Sequence, residues 1–239
     1  MVKSITNKTK KERILKAAKE GFFENSSNNK YISNINTTLL HDKDFLYELC
    51  DTVYFDDPIS KIEFIYDFFS CLPSDMQDDK DFVLNMLEKN DNIYELLTYD
   101  LKDDFDITMK AIKFNAGNLV YASDDMKNNK KIILTAFNEF DHALYHASDN
   151  LKDDFEFVSY VIHHYKPDNI MYASDRLKND FDMAWDIVSI DCSCLLHMSD
   201  EIKDNLEIMY EAIKKDCYTY NFASDRLKND PYIKKLVNI

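Results

Sequence analysis

Residues Tyr172–Ile190 read YASDRLKNDFDMAWDIVSI, and this stretch decides the fold because it recurs. Copies of its first half are YASDDMKNN from Tyr121, HASDNLKDD from His146, HMSDEIKDN from His197 and FASDRLKND from Phe222. Aligned on the Lys or Gln of the motif, the copies fall at Gln77, Lys102, Lys127, Lys152, Lys178, Lys203 and Lys228. Successive spacings are 25, 25, 25, 26, 25 and 25 residues. A fixed period of this size marks stacked copies of one small helical or mixed unit.

Two residues after the anchor comes Asp79, Asp104, Asn129, Asp154, Asp180, Asn205 or Asp230. A short side-chain oxygen at that point in every copy predicts helix N-caps, accepting an orphan N–H of the first turn. Pro231 after Asp230 fits a first helical position. Acids at Asp81, Asp106, Glu156, Asp182 and Glu207 complement the helix dipole. Apolar residues then follow at i, i+1, i+4 and i+5: Phe157, Val158, Val161 and Ile162 in one copy, and Met183, Ala184, Ile187 and Val188 in the next. That spacing makes one helical stripe and fits no alternating strand.

A shorter stripe precedes each cap, as in Leu144, Ala147 and Leu151 or Ile170, Ala173 and Leu177. It predicts one short helix ending near the anchoring Lys. The expected fold is all-α: an α-solenoid of about seven helical-hairpin repeats of roughly 25 residues, plus divergent N-terminal helices. The copies at Ser74-Asp75 and Tyr99-Asp100 look one residue short, which predicts tighter turns. Residues 1–38 read as a basic N-terminal helix and polar linker, 39–71 as divergent helical units and 72–239 as the array. HDKDFLYELC from His41 resembles DDKDFVLNML from Asp78, and Pro58 marks the start of another unit.

Two glycines and four prolines in 239 residues argue against glycine-dependent phosphate loops and tight-turn sheets. The charge is uneven. Residues 1–19 hold seven Lys and Arg against Glu12, a net +6, so a total of −15 leaves −21 on the rest. Such a body repels phosphates and favours basic partners. Five cysteines (Cys50, Cys71, Cys192, Cys194, Cys217) with no CxxC pair, and no leader-like or membrane-spanning run, predict an intracellular, cytoplasmic protein without membrane insertion.

No chemistry stands out. Cys192-Ser-Cys194 near His197 lacks a second ligand pair for zinc. The pairs Asp78-Asp79, Asp103-Asp104 and Asp153-Asp154 recur in register with helix starts, so capping explains them better than acid–base catalysis. His163-His164 reads as a solvated helix end. His146 and His197 alternate with Tyr and Phe and read as packing groups. The Ser-Asp step reads as a local backbone bond in the turn. Trp185, the only tryptophan, is either buried or an anchor for a partner. No catalytic residue, metal or cofactor is expected.

LVYASDDMKNN, ALYHASDNLKDDFEFV and IMYASDRLKNDFDMA resemble the repeat family called "domain of unknown function 4116", over approximately Leu72 to Ile239. The resemblance implies an all-helical repeat found in proteins of amoeba-infecting giant viruses, intracellular bacteria and protists, with no activity or functional residue attached. The chain departs from that pattern in lacking a glycine between units. The resulting expectation is a non-enzymatic scaffold that binds a basic protein or peptide, acting in a host cytoplasm if it is a viral or pathogen factor. Direct nucleic-acid binding is not expected. A rival reading is an acidic mimic occupying a nucleic-acid-binding protein. A third places an enzyme site in residues 39–100.

Overall fold

A computed structural model describes residues 2–20, 35–53 and 58–237. Every regular element among them is a helix; no strand occurs among the described residues. The chain divides into two compact units, Met1–Met126 and Lys127–Ile239, a division that falls inside the repeated region.

One copy from the second unit shows the logic. Asp154 caps the ten-residue helix Phe155–His164, and Phe157, Val158, Val161 and Ile162 are its buried stripe. A 3-10 helix, Pro167–Tyr172, follows. Ala173 then adopts extended backbone (φ −64°, ψ 162°), and Ser174 caps a one-turn α-helix, Asp175–Lys178. Asp180 opens the next long helix, Phe181–Ile190, whose Met183, Ala184, Ile187 and Val188 are buried.

The segment before each cap is therefore two pieces and not the single short helix expected. The reason is local. The extended Ala closes the 3-10 helix, and the Ser hydroxyl starts a new turn by accepting the N–H three residues on. Ile170, Ala173 and Leu177 nonetheless all face inward. Full burial of each such large side chain stabilises by about 1.5–3 kcal/mol.

The early copies do not have tighter turns. Ser74–Gln77 and Tyr99–Lys102 are four-residue helices like the others, closed by Asp78 and Asp103. Pro73 and Thr98 occupy the position of the capping Ser, and neither makes a side-chain cap. The copies are substituted, not shortened.

The extra residue of the 26-residue interval sits between the long helix and the 3-10 helix. In four other copies a single Asx (Asn90, Asn115, Asp191 or Asp216) ends one helix and caps the next, accepting the N–H two residues on. Tyr165 and Lys166 share that junction instead, without a side-chain cap, and Pro167 at the first helical position brings no N–H of its own to satisfy.

In the first unit, residues 36–52 supply the α-turn and the long helix of a divergent copy. Asn36 caps Thr37–Leu40, and Asp42 caps Lys43–Thr52. The segment 24–38, read as linker, thus contributes Asn36 and the start of a helix at its end; residues 24–34 lie outside the described residues. A helix of 13 residues begins at Pro58. The basic helix Val2–Lys19 packs on Lys43–Thr52, with Ala18 buried, Ile14 and Leu15 partly so, and Lys11 paired with Asp42.

Many carboxylates serve this architecture. Lys11 and the Phe45 N–H hold Asp42 below its ordinary value; Lys43 and the Phe82 N–H do so for Asp79. Asp153 and Asp204 are lowered by a serine hydroxyl and an arginine. A depressed carboxylate contributes stability that is present above its unfolded value, 3.8, and lost as pH falls through the folded value. The urea midpoint is therefore expected to hold near neutrality and to fall steeply below about pH 4. A midpoint equal at pH 7 and pH 3 would contradict the assignment.

Candidate interaction surface

All seven Asx residues singled out in the sequence stand at helix N-caps. Asp79 accepts from the Phe82 N–H, Asp154 from Phe157, Asp180 from Met183 and Asn205 from Ile208. Asp104, Asn129 and Asp230 each accept two N–H groups, from Asp106 and Ile107, Lys131 and Ile132, and Tyr232 and Ile233. These groups hold the fold and contact no candidate site.

The residue before each cap has a different task that sequence reasoning assigned wrongly to capping. Asp103, Asn128, Asp153, Asn179 and Asp204 accept the hydroxyl of Ser123, Ser148, Ser174, Ser199 and Ser224, each from the following copy. The same serine donates its backbone N–H to the carbonyl of the preceding copy's Lys, at 3.0 Å for Ser148 to Lys127 and 2.9 Å for Ser174 to Lys152. Arg176 and Arg226 add charge-assisted bonds to Asp153 and Asp204. The Ser-Asp step is thus an inter-copy clasp, reaching beyond its own turn. Its hydroxyls are engaged internally.

Cys50, Cys192 and Cys194 are buried thiols, while Cys71 and Cys217 are exposed. The Cys194 thiol donates to Asp168 Oδ1 at 3.1 Å; burial first, then that carboxylate, pushes it up to about 12. Burial likewise pushes Cys50 to about 12 and raises Cys192, whose thiol donates to the Val188 carbonyl. A thiol held protonated is a poor nucleophile and a poor metal ligand. His146 and His197 are half-buried, and burial lowers both. His163 and His164 are exposed, each bonded to the carbonyl four residues back. No group of three His, Cys, Asp or Glu side chains suited to a metal ion occurs among the described residues.

What the second unit does present is apolar surface edged with acid. Phe181 and Trp185 lie on the outer side of one long helix; Leu206 and Tyr210 take the matching positions on the next, Leu206–Lys215. Tyr232 follows on Pro231–Leu236, 73% exposed, and Trp185 is 36% exposed. These three helices pack in succession. Asp182, Asp186, Glu207 and Glu211 each come one residue later, about 100° round the helix, and edge this strip. The opposite edge carries a second apolar line of 3-10 residues, Tyr145, Met171 and Leu196. There a cation, Lys152, sits 5.9 Å from the Tyr145 ring centre.

Geometry alone makes this chain a helical repeat protein, built from copies of a long helix, a 3-10 helix and a single α-turn. A family model described as "Domain of unknown function (DUF4116)" matches residues 79–127, 104–152, 154–203 and 205–231, so the chain belongs to that family. Each matched segment begins on an N-cap: Asp79, Asp104, Asp154 or Asn205. Searches of curated proteins and of solved structures returned no match. No helix among the described residues is long and apolar enough to cross a membrane.

Proposed function

We propose that this protein is a non-enzymatic helical-repeat scaffold that binds a basic segment of another protein. One observation carries the reading: the exposed apolar strip of Phe181, Trp185, Leu206 and Tyr232, three of them aromatic, bordered by Asp182, Asp186, Glu207 and Glu211. Aromatic faces attract guanidinium and ammonium groups, and partly exposed Trp and Tyr are the commonest strong anchors at interfaces. The raised thiols support a role without nucleophilic chemistry. Five free cysteines fit a reducing compartment. Nucleic-acid mimicry finds less support, because many of the recurring carboxylates are taken up by caps and clasps.

The test is fluorescence anisotropy with a labelled Arg- and Lys-rich peptide and the full chain. Binding should weaken with added salt. Trp185→Ala should cost about 2 kcal/mol of binding energy, roughly 30-fold in affinity, with the fold intact. Absence of binding at low salt, or an unchanged affinity in both Trp185→Ala and Asp182→Lys, would remove the proposal.

A further inference from the structure

Where the last two long helices meet, the surface is hollowed into a groove of about 510 Å³ lined by Leu206, Glu207, Tyr210, Glu211 and Tyr232. Its walls are one aliphatic and two aromatic side chains, and its polar members are both carboxylates. Glu207 makes no ion pair among the described residues, and Glu211 has only a 3.4 Å contact with Lys214, on an exposed side chain. A concave apolar floor with a few charges of one sign is the composition of a side-chain-sized binding site.

We infer that this groove is the specificity pocket of the scaffold: it takes one bulky aliphatic or aromatic side chain from a partner segment flanked by Lys or Arg. The inference rests on the proposed binding of basic segments and says which of them are chosen. Glu207 and Glu211 lie one helical turn apart, so a segment running along the helix sets its flanking cations against them while its apolar side chain enters the hollow. A uniformly charged segment leaves the floor unfilled, and an acidic one meets two carboxylates.

The experiment compares two labelled peptides that differ only at the central residue, one with Leu and one with Ser between basic flanks, against the full chain. The Leu peptide is expected to bind roughly 10-fold tighter, the scale of one apolar side chain entering a fitted pocket. Tyr232→Ala and Leu206→Ser should each bring the two peptides to equal affinity; both residues are exposed, so the fold is retained, as circular dichroism would verify. Glu207→Gln combined with Glu211→Gln should weaken both peptides and flatten the salt dependence. If both peptides bind equally to the unaltered protein, the pocket is overturned while the scaffold reading stands. If neither binds, both fall. Sedimentation showing self-association that Tyr232→Ala abolishes would overturn the inference by giving the groove to a second copy of the chain.

Discussion

Asn169→Asp is expected to lower the stability of the Lys127–Ile239 unit by about 3–5 kcal/mol at neutral pH, although the side chain barely changes in shape. Asn169 is fully buried, and its Nδ2 donates to the carbonyl of Asp141 at 2.8 Å and of Lys166 at 3.0 Å, tying one copy to the next. Its Oδ1 has no partner. A carboxylate in its place would take away both donors and set a negative charge against two carbonyl oxygens. The folded state would respond by raising the carboxyl pKa above its unfolded value of about 3.9. The penalty should therefore be small below that pH, grow as the unfolded chain ionises and level off above the folded pKa. Urea titrations of variant and parent at pH 4 and pH 7 would measure it. A variant as stable as the parent at pH 7 would mean that the amide does not bridge the copies.

Leu177→Ala should destabilise the same unit by about 2–5 kcal/mol. Leu177 is fully buried, on a one-turn helix of four residues that has no stability of its own. That turn stays in place because Leu177 fills the interior, Ser174 caps it and Arg176 grips Asp153. Truncation removes the first of these and leaves a cavity. Copies in a repeat array couple mainly to their neighbours, so hydrogen exchange should rise most in residues 173–190 and the copies either side. An equal rise at every amide of the unit would argue against that coupling.

The long helices are legible because two independent signals coincide in most copies, an Asx at the cap and an apolar stripe at i, i+1, i+4, i+5, with Thr108 and Lys234 as departures from the stripe. Burial of Phe157, Val158, Val161 and Ile162 follows from that pattern. The 3-10 helices were not legible as such. Over six residues a 3-10 segment and an α-helix place apolar residues at nearly the same offsets, and only the backbone at Ala173 separates them. A clue was nonetheless present in the Asx that begins each 3-10 helix at Asn90, Asn115, Asp191 and Asp216.

Asp153 and Asp204 look like spare caps because their partners, Ser174 and Ser224, stand about twenty residues away and belong to the next copy. A search confined to one period misses a bond between periods. Trp185 was left open between burial and exposure, and correctly so, since its neighbours Ala184 and Asp186 sit at the edge of the buried stripe. The groove of Leu206, Tyr210 and Tyr232 depends on which outer residues of adjacent helices are large, and the shared pattern does not dictate that.

Every Ser–Asx clasp joins equivalent points of adjacent copies, while the charges beside it differ, with Arg176 and Arg226 on Asp153 and Asp204 but Glu201 on Asn179. Unequal recombination between two copies would shorten or lengthen the chain by a whole number of modules and keep the Ser–Asx bond at each joint, with only the flanking charges re-paired. The gene can thus change the reach of its product in steps of one module while each long-helix face diverges on its own. Surface character and molecular length are in that sense separately heritable.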